Sequence, residues 1–234
     1  MQSSTISNRI IWLGVKVLAV SIFATSALAG GNQVIPATAA PSGYSLSDMA
    51  KATAFFNTSP TRTTKTEPDT PFQILYVNDA GTTTATFDVN PDTMLYVPVL
   101  YLDDTQPVMG QFPNVNDRDA VLNYFYSQQE VGNIYIKIVI DNNENSLGPD
   151  YVVGVGPTKL GDAYKDPLTG AHVRAGTRYI VSAAFLTPLT KGVHTVRIRG
   201  QSVGMAVKNY QFDGELVFPH GWSFNGPTYT VVVH

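Results

Sequence analysis

RYIVSAAFLTPLTKGVHTVRIRGQ, Arg178–Gln201, is the stretch that decides the fold. Arg178–Leu186 reads as a strand. Pro188 ends it, since proline cannot donate to a β ladder. Thr190-Lys191-Gly192 supplies a turn, with Gly192 free to take positive φ. Val193–Arg199 then sets His194, Val196 and Ile198 against Thr195, Arg197 and Arg199, the period of two expected of a half-buried strand. His194 therefore falls on the apolar side, as a hydrogen-bonded core or rim residue.

Working outward, strands dominate. Ile134, Ile136, Ile138 and Ile140 alternate with Tyr135, Lys137 and Val139 and predict one shared apolar face. Met94–Leu102 is almost continuously apolar, as in a strand buried on both faces, and Pro98 within it argues for an edge or a bulge. Phe72–Val77 and Thr83–Val89 flank Asn78-Asp79-Ala80-Gly81. Tyr151–Val155, Gln211–Phe218 and Thr228–Val233 complete the strands. Helices are expected at Tyr44–Asn57, capped by Ser45 or Ser47, and from Asn116 or Asp117 to about Gln129. Many strands and two short helices, without a strand–helix rhythm, give a mainly β fold. The expected architecture is an antiparallel β-sandwich of jelly-roll type.

The strand-turn-strand block carries a resemblance. Pro188, Leu189, Gly192, His194, Thr195 and Val196 stand in a Pro-Leu-x-x-Gly-x-His-Thr-[VI] pattern closed by Gly200. The order upstream is an early helix, then LYVPVLY at Leu95–Tyr101, an acid-capped helix and the strand IYIKIVID. The chain in this respect resembles a family of exported bacterial β-sandwich proteins. That resemblance implies a β-sandwich outside the cytoplasm. It brings no established activity and hence no catalytic residue.

The start of the chain agrees with export. Residues 1–29 have Arg9 and Lys16 as their only charges, an apolar middle and an Ala27-Leu28-Ala29 exit, the layout of a signal peptide cleaved after Ala29. Residues 30–43 read as a flexible mature N-terminus and 44–234 as a single β domain. Loss of the leader, with two basic residues and no acid, takes the formal charge from −3 to −5. A weakly acidic surface has no footprint for nucleic acid. No later segment is apolar and long enough to span a membrane. The chain has no cysteine, so the exported domain folds without disulfides.

Three constellations carry chemistry on paper. Gly200-Gln201-Ser202-Val203-Gly204 matches the nucleophile-elbow pattern, and Asp213 and His220 follow in the hydrolase order, giving a serine-esterase alternative on Ser202. That alternative needs a strand-to-helix turn, and no amphipathic helix is legible after Met205. Asp141, Asn143, Asn145 and Asp150 cluster enough oxygen for calcium but lack the EF-hand glycine and glutamate; a plain Asn/Asp turn is the competing reading. Asp103-Asp104 reads as a solvated turn. The four histidines show no zinc spacing, and no cofactor is implied. The third constellation is aromatic. Trp222, Phe224 and His220 sit among glycine and proline near Phe218 and Tyr229. Such a loop either closes the end of a core or presents a surface for a sugar ring or a cell-surface protein. The expected function is accordingly non-catalytic: a binding or structural domain at the cell surface or in the periplasm.

Overall fold

The computed structural model describes residues 31–59, 66–77, 82–161, 176–212 and 214–234. The leader, the Asn78–Gly81 turn and Asp213 lie outside these. The fold is mainly β, with three α-helices among the described residues: α1 (Leu46–Thr58), α2 (Arg118–Tyr126) and the single turn α3 (Met205–Lys208). Ser45 caps α1 through a capping box. Its Oγ accepts from the Asp48 N–H at 3.1 Å while Asp48 accepts from the Ser45 N–H at 3.0 Å. Asp117 caps α2, its carboxylate accepting from the N–H groups of Asp119 and Ala120.

The strands are β1 (Gln73–Ile74), β2 (Thr84–Val89), β3 (Leu95–Asp103), β4 (Asn133–Ile140), β5 (Asn143–Ser146), β6 (Val152–Val155), β7 (Tyr179–Leu186), β8 (Gly192–Ser202), β9 (Gln211–Phe212), β10 (Glu215–Leu216) and β11 (Trp222–Val233). One sheet runs β1-β3-β7-β6 and a second β2-β11-β8-β4-β5, with β9 and β10 as a separate hairpin. The sheets are mixed rather than antiparallel throughout, because β1 pairs β3 and β2 pairs β11 in parallel. Phe72–Val77 and Thr83–Val89 thus lead into different sheets, which rules out a hairpin between them.

Strand composition follows layer position. β7 is buried along its whole length. Tyr179, Val181, Ala183 and Phe185 pack with Leu46, Met49 and Ala50 of α1, whereas Ile180, Ala184 and Leu186 join a larger cluster with Ile138, Val196 and Val231 of the second sheet. β3 obeys the same logic with one interruption. Leu95, Val97 and Val99 enter the larger cluster, but so do Leu100 and Leu102. The β3–β7 register shifts between Pro98 and Leu100. This bulge resets the alternation, the role expected of Pro98.

The second sheet has an exposed outer face, so its strands alternate. Ile136, Ile138 and Ile140 are buried as expected, but Ile134 is 57% exposed. The β4–β8 register shifts between Asn133 and Tyr135, which leaves Ile134 as the extra residue of a bulge and turns Asn133 inward. The Asn/Asp turn after Ile140 joins β4 to β5 as a hairpin. Asp141 and Asn142, at φ 47° and 72°, make a two-residue turn into β5 with positive φ at both central positions. The stretch read as a flexible start is tied down at Asn32–Ile35. Val34 bridges Leu186, and the Ile35 N–H donates to the Phe185 carbonyl at 2.9 Å.

Candidate functional site

β8 and β11 run antiparallel from Gly192↔Val233 to Ser202↔Trp222. Near the second end Phe224 pairs with Gly200. A Cβ on Gly200 would lie 2.4 Å from the Phe224 ring tip, so the ring is seated against bare backbone that only glycine provides. Phe224 continues a row of rings. Its centroid is 5.2 Å from Trp222, Trp222 is 5.6 Å from Phe218, and Phe218 is 6.3 Å from Tyr210. The last two pairs lie within 25° of parallel.

This row walls a groove. A cavity of about 520 Å³ is lined by Trp222 and Phe224, by Leu75 and Tyr76 beyond β1, and by the bulged Pro98–Tyr101 segment of β3. A second cavity, of about 360 Å³, is lined by Tyr210, Phe218 and Met109. Tyr101, Asp103 and Trp222 line both, so the two compartments adjoin at these residues. Trp222 is half-buried. It belongs to the rim of the core and to the groove wall at once, which reconciles the two readings of the aromatic loop.

The pair read as one solvated turn separates into two roles. Asp104 is matched: its carboxylate accepts from the Arg178 Nε at 2.7 Å and from the N–H groups of Thr177 and Arg178. Asp103 is half-buried, accepts from the Thr105 N–H at 2.8 Å, and forms no ion pair among the described residues. Burial, with the Asp103 charge second, pushes the Tyr210 phenol above its ordinary range. Nothing local in the sequence separates these carboxylates. Their difference rests on Arg178, far along the chain.

The elbow pattern has a packing explanation at each position. Gly200 seats Phe224. Ser202 is fully buried, and its hydroxyl donates to Asn133 Oδ1 at 2.5 Å. Asn133 Nδ2 donates in turn to the Phe125 carbonyl at 2.8 Å. Gly204 packs on the 130–131 backbone, where an added Cβ would stand 2.0 Å from the Glu130 oxygen. A helical turn, α3, does follow the motif. His220 is exposed beside the β11 start, whereas the Ser202 hydroxyl faces the core; Asp213 is not among the described residues. The geometry does not bring the serine and histidine side chains into a shared open site.

Of the remaining candidates, Asp141 meets His194 at the opposite end of β8, while Asn145 and Asp150 lie apart from that pair. Asp141 Oδ2 lies 2.6 Å from His194 Nδ1, and His194 Nε2 lies 2.7 Å from the Thr190 carbonyl. The Asn32 amide and the Thr195 N–H also donate to Asp141, at 3.0 and 2.9 Å. Burial opposes the charged imidazole, but the Asp141 hydrogen bond, the Thr190 carbonyl and the Asp141 charge outweigh it and raise the His194 pKa. The Asp141 pKa is lowered: burial opposes ionisation, but the His194 and Thr195 hydrogen bonds dominate. Asn145 donates to the Ile138 and Asn143 carbonyls, and Asp150 faces Arg118 at 3.7 Å. Among the described residues no group of three or more His, Cys, Asp or Glu is placed to hold a metal. None of their helices is long and apolar enough to cross a membrane.

No family model, no curated protein and no solved structure matches the chain. The functional reading therefore stands on the groove itself.

Proposed function

We propose that the chain is an exported β-sandwich of jelly-roll type that binds a glycan, without transforming it, at the cell surface or in the periplasm. The observation that carries this reading is the row Phe224, Trp222, Phe218 and Tyr210 along a two-compartment groove. Sugar rings present C–H faces that pack on aromatic planes, and their hydroxyls find partners on a mixed wall. The larger compartment, about 520 Å³, has the size of a small-ligand site. The core cluster drawn from both sheets supports the sandwich. The leader and the resemblance of the Pro188–Val196 block to exported proteins support the compartment.

Binding without turnover is the reading that the described titratable groups support. Asp103 is the one carboxylate among the described residues that line either compartment. Glycoside hydrolysis in its common form requires a pair. Trp222 makes the test direct, because it is the only tryptophan after residue 29. Titration of soluble oligosaccharides against the mature protein is expected to shift Trp222 fluorescence saturably, and Trp222→Ala to abolish binding measured by calorimetry. A Trp222 signal indifferent to every oligosaccharide overturns the reading.

A further inference from the structure

Resting on that reading, we infer that the glycan in this groove carries free amino groups, and that Asp103 at the junction of the two compartments binds one of them as an ammonium. Asp103 and Trp222 both line each compartment, so a ligand that spans the two lies beside this carboxylate. Among the described residues the lining holds no lysine, arginine or histidine. Among the described residues the one hydrogen bond to the Asp103 carboxylate comes from the Thr105 N–H on Oδ1, which leaves Oδ2 for a ligand. The neighbouring Asp104 is held by Arg178, and Glu67 accepts from the Tyr76 hydroxyl at 2.6 Å.

A half-buried carboxylate beside aromatic rings is poorly solvated, and it gains most from a donor that also brings positive charge. Long-range charge agrees. The chain carries 18 acidic and 15 basic residues, so its field draws cations and repels uronates or sulfated sugars. Ring-to-ring steps of 5.2 to 6.3 Å run through both compartments and suit an oligomer more than a single sugar. The ligand class is thus an oligomer of unacetylated 2-amino sugars.

The test compares glucosamine oligomers with fully N-acetylated oligomers of equal length, and with oligolysine, on the mature protein at pH 6. The amine form is expected to bind about tenfold tighter than the N-acetylated form, a difference of about 1.4 kcal/mol. Added salt shrinks that difference. Asp103→Asn, which keeps an oxygen for the Thr105 N–H, is expected to erase it, so that the two oligomers bind the variant with equal affinity. The wild-type comparison stands without the variant if Asp103→Asn fails to fold. Equal binding of both oligomers overturns the inference and leaves the glycan groove standing. Oligolysine binding with neither oligomer bound overturns both, as does no binding at all.

Discussion

The two ends of the β8–β11 pair are built oppositely. At the Gly192↔Val233 end, polar groups converge and are consumed. His194 bridges Asp141 and the Thr190 carbonyl, and Asn32 joins them from the docked N-terminal segment. At the Ser202↔Trp222 end, aromatic rings line a groove and Asp103 stands without a cation among the described residues. A histidine–aspartate pair in a sequence invites a catalytic reading, yet here it fastens the chain start to the β4–β5 turn. The groove, by contrast, is made of residues that look like core. Convergent polarity marks what this fold uses to close itself. Unmatched polarity marks where it is open.

The sharpest way to break the comparison is to remove the fastener. His194→Ala strands the Asp141 carboxylate and leaves the Thr190 carbonyl without its imidazole donor. Hydrogen bonds to charged groups contribute about 1.5–3 kcal/mol each. A loss of about 2.5 kcal/mol in denaturant unfolding is therefore expected, with glycan binding retained below the transition. A variant as stable as wild type refutes the fastening role. A variant that folds normally but loses ligand shows that the two ends are not separate.

Much of this was legible in the sequence, and what was not has a physical reason. The alternation of Val193–Arg199 and the continuous run at Met94–Leu102 report directly on one covered face or two. Pro98 announced its bulge because its chemistry is local. Ile134 misled, since its exposure depends on how β4 registers against β8. The parallel pairs β1–β3 and β2–β11 were invisible because pairing direction is decided between distant segments. Asp103 and Asp104 look alike until Arg178 arrives from 74 residues away. His194 was readable as a hydrogen-bonded residue, but its partner Asp141, 53 residues earlier, was readable only as a turn or a metal oxygen.

A smaller effect is expected at the open end, from Ser202. Ser202→Ala leaves Asn133 Oδ1 buried without its donor, a cost of about 1.5 kcal/mol. Because the hydroxyl faces the core, a fluorophosphonate probe is expected to leave the folded wild type unlabelled at Ser202. Ligand affinity should not change in the variant. Labelling at Ser202 would turn this end from a binding groove into an esterase site and reverse the contrast with the His194 end.

The smallest effect is the pH dependence of the fastener. In the unfolded chain His194 titrates near its ordinary value of about 6.5 and Asp141 near about 3.9. Folding raises the first and lowers the second. A raised histidine stabilises fully below its unfolded pKa, and that part is lost as pH rises through the higher folded value. A lowered aspartate stabilises above its unfolded pKa, and that part is lost as pH falls through the lower folded value. Together they give a plateau between about pH 4 and pH 6.5, with losses on both sides. His194→Gln keeps donors and acceptors but cannot charge, so the alkaline decline attributable to this pair should flatten in melts taken from pH 6 to pH 9. Asp103→Asn, at the other end, should leave that alkaline decline in place. If both variants flatten it equally, the pH response belongs to the whole domain, and the two ends do not divide closure from openness in the way their geometry implies.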